Sequence, residues 1–354
     1  MPITENEFVK FSKKAADLSV RLMEREMVTS KAFTRIGFDD FKGTLNDTAN
    51  IVVPGILPAH EYAFRNNRAN ELEIDTYRET KIPVTLGTHV YSRVQLTDEQ
   101  YEFDLNGAGW QSLLQTQMTG IANYLDAKCA AQLSAGEYAV TLGVKNPNDI
   151  LRSIAMARHV LNKTRAPMKN RILLVGTDFD AALQMDETFS RATGIGENGA
   201  VSAIREATIG RIKGFDVVVS QDIKPGEAYA LTDGAFVMAQ AAPRRPDDVG
   251  AAGTASLDGF ALRWMRQYNP ARLFDESVVD AWAGWTQVKD PVYFEKNGVW
   301  TQSTDKYAIR AVKLVMGDTA ADSFFATGTD KVAVADGLGL KARPKTLVEK
   351  PAGA

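Results

Sequence analysis

Thiol and imidazole chemistry have little to work with in this 354-residue chain, which holds one cysteine and three histidines. Cys129 alone cannot close an intrachain disulfide, which is compatible with a reducing compartment. Its place on an apolar helix stripe makes it a small buried hydrophobe with an inert thiol. His60, His89 and His159 lie far apart, and none belongs to a cluster with metal-ligand spacing. Nowhere do about 18 apolar residues run together, so no membrane span is expected. The N-terminus, Met-Pro-Ile-Thr-Glu-Asn-Glu, carries acids where a secretory signal carries bases and an apolar run. Nor is there a basic excess: 41 Lys and Arg stand against 44 Asp and Glu, a net charge of −3. Tight non-specific binding of nucleic acid by the free subunit is therefore not expected.

Three short matches to chemical motifs lack the context that each requires. Gly194, Gly196 and Gly199 have the spacing of a dinucleotide loop, but such a loop sits directly between a strand and a helix. Here a polar stretch precedes it and the nearest expected strand ends at Val175. Ser303 and Lys306 have the Ser-x-x-Lys spacing of some acyl enzymes, but in a polar segment read as a turn, with no partner motif. "RWMRQYNPAR" (263–272) mixes bases with aromatics and reads as a packing strand with solvated arginines. No candidate catalytic, cofactor-binding or metal site remains, and the chain reads as neither an enzyme nor a cofactor carrier.

What the sequence does have is length and alternation. Hydrophobic residues make up 45% and charged residues 24%, an ordinary globular balance with material for a large core. In "IPVTLGTHVYSRVQL" (82–96) the even positions are mostly apolar and the odd ones mostly polar, the period of a strand with one buried face. At about 3.3 Å per residue it would span roughly 50 Å, against a usual strand of about 5–6 residues. It follows "ANIVVPGILP" and a charged stretch, 60–80, that holds Arg65, Arg68, Glu71, Glu73 and Asp75. Apolar strand, charged tip and long strand describe a two-stranded arm, and a bare ribbon is marginal in water. Its apolar stripe is expected to find cover on another copy, with the five tip charges in the intersubunit contact.

The rest reads as a mixed α+β chain. A helix is expected over 6–28. Thr97 and Gln100 form a capping box. A helix over 107–135 is striped by Trp110, Leu114, Met118, Ile121, Leu125 and Cys129. A second helix covers 148–162, "RILLV" (171–175) is a strand, and a helix opens at Thr177 or Asp178. Residues 187–203 and 243–259 read as loops, 209–220 as a strand, and "KPGE" (224–227) as a type II turn with Pro225 and Gly226 at its centre. Apolar segments return at 260–268, 278–288 and 307–316, and a tail begins near Lys341.

This order of parts resembles the Hong Kong 97-type capsid fold of tailed bacteriophages, most closely in "TKIPVTLGTHVYSRVQLTDEQ", "NRILLVGTDFDAAL" and "EATIGRIKGFDVVVSQDIKPGEAY". The resemblance implies an N-terminal arm (1–48), an extended β-hairpin loop (49–96), a peripheral domain (97–142) with spine helix 107–135, and an axial domain (143–272). A return to the peripheral domain (273–317) and a tail (318–354) would complete it. It further implies a major capsid protein that self-assembles in the host cytoplasm into the icosahedral shell of a virion around double-stranded DNA. Partners would be its own copies in hexameric and pentameric capsomers, a scaffolding protein, a portal and, as an open point, a decoration protein; packaged DNA would be touched only weakly and no membrane at all. An encapsulin-type compartment shell shares the fold, and an α/β enzyme with an unrecognised site or a surface adhesin are readings from other classes.

Overall fold

The computed structural model describes residues 28–36, 48–53, 80–100, 109–146, 149–185, 210–244, 251–257, 260–296, 299–317 and 320–340, with Leu57, His60, Tyr62, Glu71, Leu72, Ile74, Thr76, Tyr77, Glu79 and Pro246. The helix expected over 6–28 (Val28 apart), the Gly194–Gly199 loop and the tail from Lys341 lie outside the described residues.

In chain order the elements are β1 (Thr34–Ile36), β2 (Thr48–Val53), β3 (Thr80–Thr85), β4 (Thr88–Thr97), α1 (Gly109–Ala135), β5 (Val140–Val144), α2 (Ile150–Lys163), β6 (Ile172–Val175) and α3 (Thr177–Met185). Then follow β7 (Arg211–Ile212), β8 (Phe215–Val219), β9 (Glu227–Leu231), β10 (Phe236–Ala241), β11 (Ala251–Leu257), β12 (Phe260–Asn269) and β13 (Phe274–Gln287). Last come β14 (Asp290–Lys296), β15 (Val299–Tyr307), β16 (Ala311–Met316), β17 (Ser323–Phe324) and α4 (Lys331–Gly337).

Two sheets share one helix. A seven-stranded sheet runs β17-β5-β16-β9-β6-β8-β7, and a six-stranded sheet runs β1-β10-β13-β12-β11 with β4 also on β13. One face of the seven-stranded sheet is covered by α2 through Ile150, Ile154, Ala157 and Leu161, and by Phe179 and Leu183 of α3. Ile121, Leu125, Cys129 and Leu133 of α1 fill the space between sheets, touching a cluster of Leu174, Tyr229 and Ala311 from one and Phe236, Met238, Val279 and Ala283 from the other. The helix stripe is therefore the common core, and its burial deepens toward the C-terminal half: Leu114 and Met118 are half-buried, while Leu125 and Leu133 are closed off. The capping box before α1 forms as expected: the Gln100 N–H donates to Thr97 Oγ1 and the Thr97 N–H to Gln100 Oε1, each at 3.3 Å.

The alternating stretch 82–96 breaks at Leu86 and Gly87 into β3 and β4. β3 pairs with β2 from Thr48↔Thr85 to Val53↔Thr80, and β4 with β13 from Thr97↔Phe274 to Thr88↔Ala283. The expectation that its apolar stripe finds cover on another copy is corrected. Ile82 and Val84 pack on Val237, Ala239 and Val288 of their own chain, and Val90 joins the α1 cluster. Alternation says that one face is buried; it does not say against what. β3 can cross β13 because position 284 is glycine: a Cβ there would run into the Thr85 carbonyl. Gly284→Ala should therefore cost about 1–3 kcal/mol, the usual penalty of overpacking. An unchanged urea midpoint would show that β3 does not seat there.

The segment entering the body is fixed by a buried carboxylate. Asp126 of α1 accepts the backbone N–H groups of Val28, Thr29 and Ser30 at 3.2, 3.2 and 2.6 Å, capping the 3-10 turn Thr29–Ala32. Phe33 then stacks on Phe236 at 5.3 Å between ring centroids.

Three local expectations fail. Residues 243–259 are not all loop, because Ala251–Leu257 pairs along its length with β12; small residues that look loop-like make a strand once a ladder is available. The Ser303–Lys306 segment is not a turn but part of β15, whose period-two burial brings Ser303 and Tyr307 inward between polar neighbours. The turn at 224–227 closes with a 2.9 Å bond from the Glu227 N–H to the Lys224 carbonyl. Gly226 is absent from the positive-φ glycines, so the turn is not type II. The domain break expected at 272 falls in the turn joining β12 to β13, which pair in one sheet, whereas β16 lies between β5 and β9 in the other.

Candidate assembly surfaces

All nine described residues between 57 and 79 are exposed, among them Leu57, Tyr62, Leu72, Ile74 and Tyr77. Leu72 is 72% and Ile74 96% accessible, a dense apolar exposure for one subunit. The root of this segment is the β2–β3 ribbon, where the Thr48 and Thr85 hydroxyls meet at 2.9 Å. Of the five predicted contact residues, Glu71 stands exposed on it; Arg65, Arg68, Glu73 and Asp75 lie outside the described residues.

On the face of β13 turned away from α1, charges are organised in ion pairs that the sequence did not suggest. Arg263 holds Asp280 by two bonds of 2.9 and 2.5 Å, and His89 Nε2 meets the same carboxylate at 2.9 Å. Arg93 forks onto Glu276 at 3.1 and 2.6 Å. Arg266, on the opposite face, pairs with Asp275. The arginines of "RWMRQYNPAR" were expected to be solvated. Two of them are instead paired within the subunit, because β13 brings an acid to each.

The groups that could resemble an active site are occupied with one another. Glu227 accepts from the Tyr229 hydroxyl and from Lys313 Nζ at 2.9 Å, with Ser134 Oγ at 3.4 Å. Burial alone would raise the Glu227 carboxyl; the bonds from Tyr229 and Lys313 outweigh it and hold the group below its ordinary value. Burial raises the Tyr229 phenol, which stays protonated and donates. Burial likewise pushes the Cys129 thiol up to about 12, and the Trp285 indole N–H donates to its sulfur at 3.3 Å. Ser303 Oγ accepts from the Val292 N–H at 2.8 Å and donates to the Asp305 carbonyl at 2.7 Å. Among the described residues no group of three or more His, Cys, Asp or Glu could hold a metal ion, and no helix is long and apolar enough to cross a membrane.

No protein-family profile matches the sequence, and no curated protein resembles it closely enough to count as a relative. Solved structures do resemble its shape. A chain from Mycobacterium phage Che8 matches with a TM-score of 0.57 at 12% identity, over 89% of this chain and 96% of its own. The capsid of the cyanophage P-SCSP1u matches with a TM-score of 0.57 at 10% identity, over 81% and 87%. The mature capsid of bacteriophage PhiM1 matches with a TM-score of 0.53 at 9% identity, over 89% and 91%. The fold is thus that of phage capsid chains, the Hong Kong 97-type fold anticipated from the order of segments.

Proposed function

We propose that this chain is a major capsid protein of a tailed bacteriophage, a structural subunit rather than an enzyme. Copies of it would form hexameric and pentameric capsomers and close into an icosahedral shell around double-stranded DNA. The observation that carries this reading is the exposure of Leu57, Tyr62, Leu72, Ile74 and Tyr77, which lie in sequence between the two strands of a ribbon whose own apolar face is already covered within the subunit. Heterologous contact of such a segment with the next copy generates a ring where the rotation closes. The shell-forming neighbours in shape support it. Scaffolding, portal and decoration proteins as partners, assembly in the host cytoplasm and residence in the virion belong to the same proposal.

For the division of the chain we infer an N-terminal arm over 1–48 and an extended loop from 49 toward 96. The seven-stranded sheet with α2 and α3 would be the axial unit, and α1 with the six-stranded sheet the peripheral one. An encapsulin-type compartment would need the same contacts; a neighbouring terminase or portal gene favours the phage, a neighbouring peroxidase or ferritin-like gene the compartment. Reversing two tip charges (Arg65→Glu with Arg68→Glu) tests the contact. An exposed ion pair is worth at most about 1 kcal/mol to folding, whereas like charges juxtaposed across an interface cost several. Melting should stay at the parent value while shell yield falls sharply and soluble subunits or capsomers accumulate. Normal shell yield from the double variant would remove the tip from the intersubunit contact.

A further inference from the structure

The C-terminal end of α2 and the segment after it carry positive charge that no acid among the described residues neutralises. Arg158, Lys163, Arg165 and Lys169 are all exposed, and none has an acidic partner among the described residues. The Arg158 guanidinium donates to the Lys213 carbonyl at 3.1 Å. Behind them, buried Arg171 spends its donors on the carbonyls of Pro167 and Ala166 and on Asn162 Oδ1, all neutral acceptors, at 2.8–2.9 Å. Glu295 is the register partner of Trp300 across the β14–β15 ladder.

Arg165 is held at a conformational cost. Bonds from the Ala166 N–H to the Leu161 carbonyl and from the Arg165 N–H to the Asn162 carbonyl close α2 in a Schellman motif. Its left-handed position usually belongs to glycine; here it is Arg165, with φ of 59°. The guanidinium lies over the Trp300 ring, 4.3 Å from its centroid. Trp300 is 54% exposed, and Met168, three residues after Arg165 in sequence, is 68% exposed. A strained residue that presents a cation on an uncovered indole points to a contact outside the subunit.

Segment 71–77, whose described residues are all exposed, has the matching chemistry. Glu71, Glu73 and Asp75 alternate with Leu72 and Ile74, and Tyr77 follows. We propose that residues 71–77 of a second copy dock on this patch, their acids meeting Arg158, Lys163, Arg165 and Lys169 and their apolar side chains meeting Trp300 and Met168. The inference rests on the shell reading and names the surface on which its loop lands.

A fluorescent peptide of residues 69–79, titrated at low salt onto the full chain kept as soluble subunit, tests it. Binding should weaken about tenfold or more with Arg165→Gly and with Lys163→Glu plus Lys169→Glu, and should also fall with added salt. Arg165→Gly should melt at or above the parent temperature, since glycine suits the left-handed position, so a loss of binding cannot be ascribed to unfolding. A peptide carrying Glu71→Lys, Glu73→Lys and Asp75→Lys should bind the parent poorly and the doubly reversed subunit better. A peptide that does not bind the parent, or binds the reversed subunit equally, overturns the proposal. So does a duplex DNA probe whose binding needs these residues while the peptide finds no site. Shell assembly by the parent is scored separately: closed shells without peptide binding sink only this contact, and a parent that never assembles sinks the shell reading.

Discussion

Truncating Leu125 to alanine should cost about 2–5 kcal/mol, the range for a buried leucine whose surroundings cannot collapse into the gap. Leu125 is 1% exposed and lies among residues from both sheets, so the cavity would open where they share α1. Leu114→Ala, on the same stripe but half-buried, should cost roughly 1 kcal/mol, a typical single-substitution effect. The stripe alone gave the two leucines equal weight; burial along α1 separates them. Urea titration of the soluble subunits reads both, and equal costs would mean that α1 is embedded to the same depth along its length.

Asp280→Ala should be as damaging for a different reason. The carboxylate is buried, and Arg263, whose side chain is only 13% exposed, depends on it through two bonds. Removing the acid leaves a covered guanidinium without a counter-charge, a loss of about 3–5 kcal/mol. His89→Ala removes the other partner of the same carboxylate, but that side chain is 51% exposed, and its loss should cost less than about 1 kcal/mol. Replacing both members by apolar residues, Arg263→Met with Asp280→Leu, should recover most of the loss, since the penalty comes from the orphaned charge. A double variant no more stable than Asp280→Ala would show that the pair itself supplies the stability.

The sequence made periodic elements legible where burial is one-sided. The 3.6-residue stripe of α1 gave 107–135 for a helix that spans Gly109–Ala135, and α2 was expected over 148–162 and spans Ile150–Lys163. "RILLV" contains β6, Ile172–Val175. The failures share a cause, which is that pairing partners are not written locally. β11 is Ala, Gly, Thr and Ser up to its final Leu257, and residues 301–305 of β15 are Thr, Gln, Ser, Thr and Asp; each is a strand because a neighbour supplies its ladder. The short α4 carried no signal strong enough to separate it from the tail. Alternation in 82–96 predicted a buried face correctly, but Gly284, some 190 residues away (284 less 96, to the nearest end), decides that this face is covered at home. Of the proposed docking patch, Arg165 and Trp300 are far apart in sequence, and only the end of α2 beside the β14–β15 ladder brings them together.

The central claim is that this subunit closes on copies of itself, and electron microscopy of the full chain, expressed with a scaffolding partner and taken to micromolar concentration, tests it most directly. The account predicts closed shells, or rings of five and six subunits, in which density for residues 57–77 crosses onto the neighbouring copy. A strictly monomeric protein under every condition would contradict it, as would shells in which that segment folds back on its own subunit.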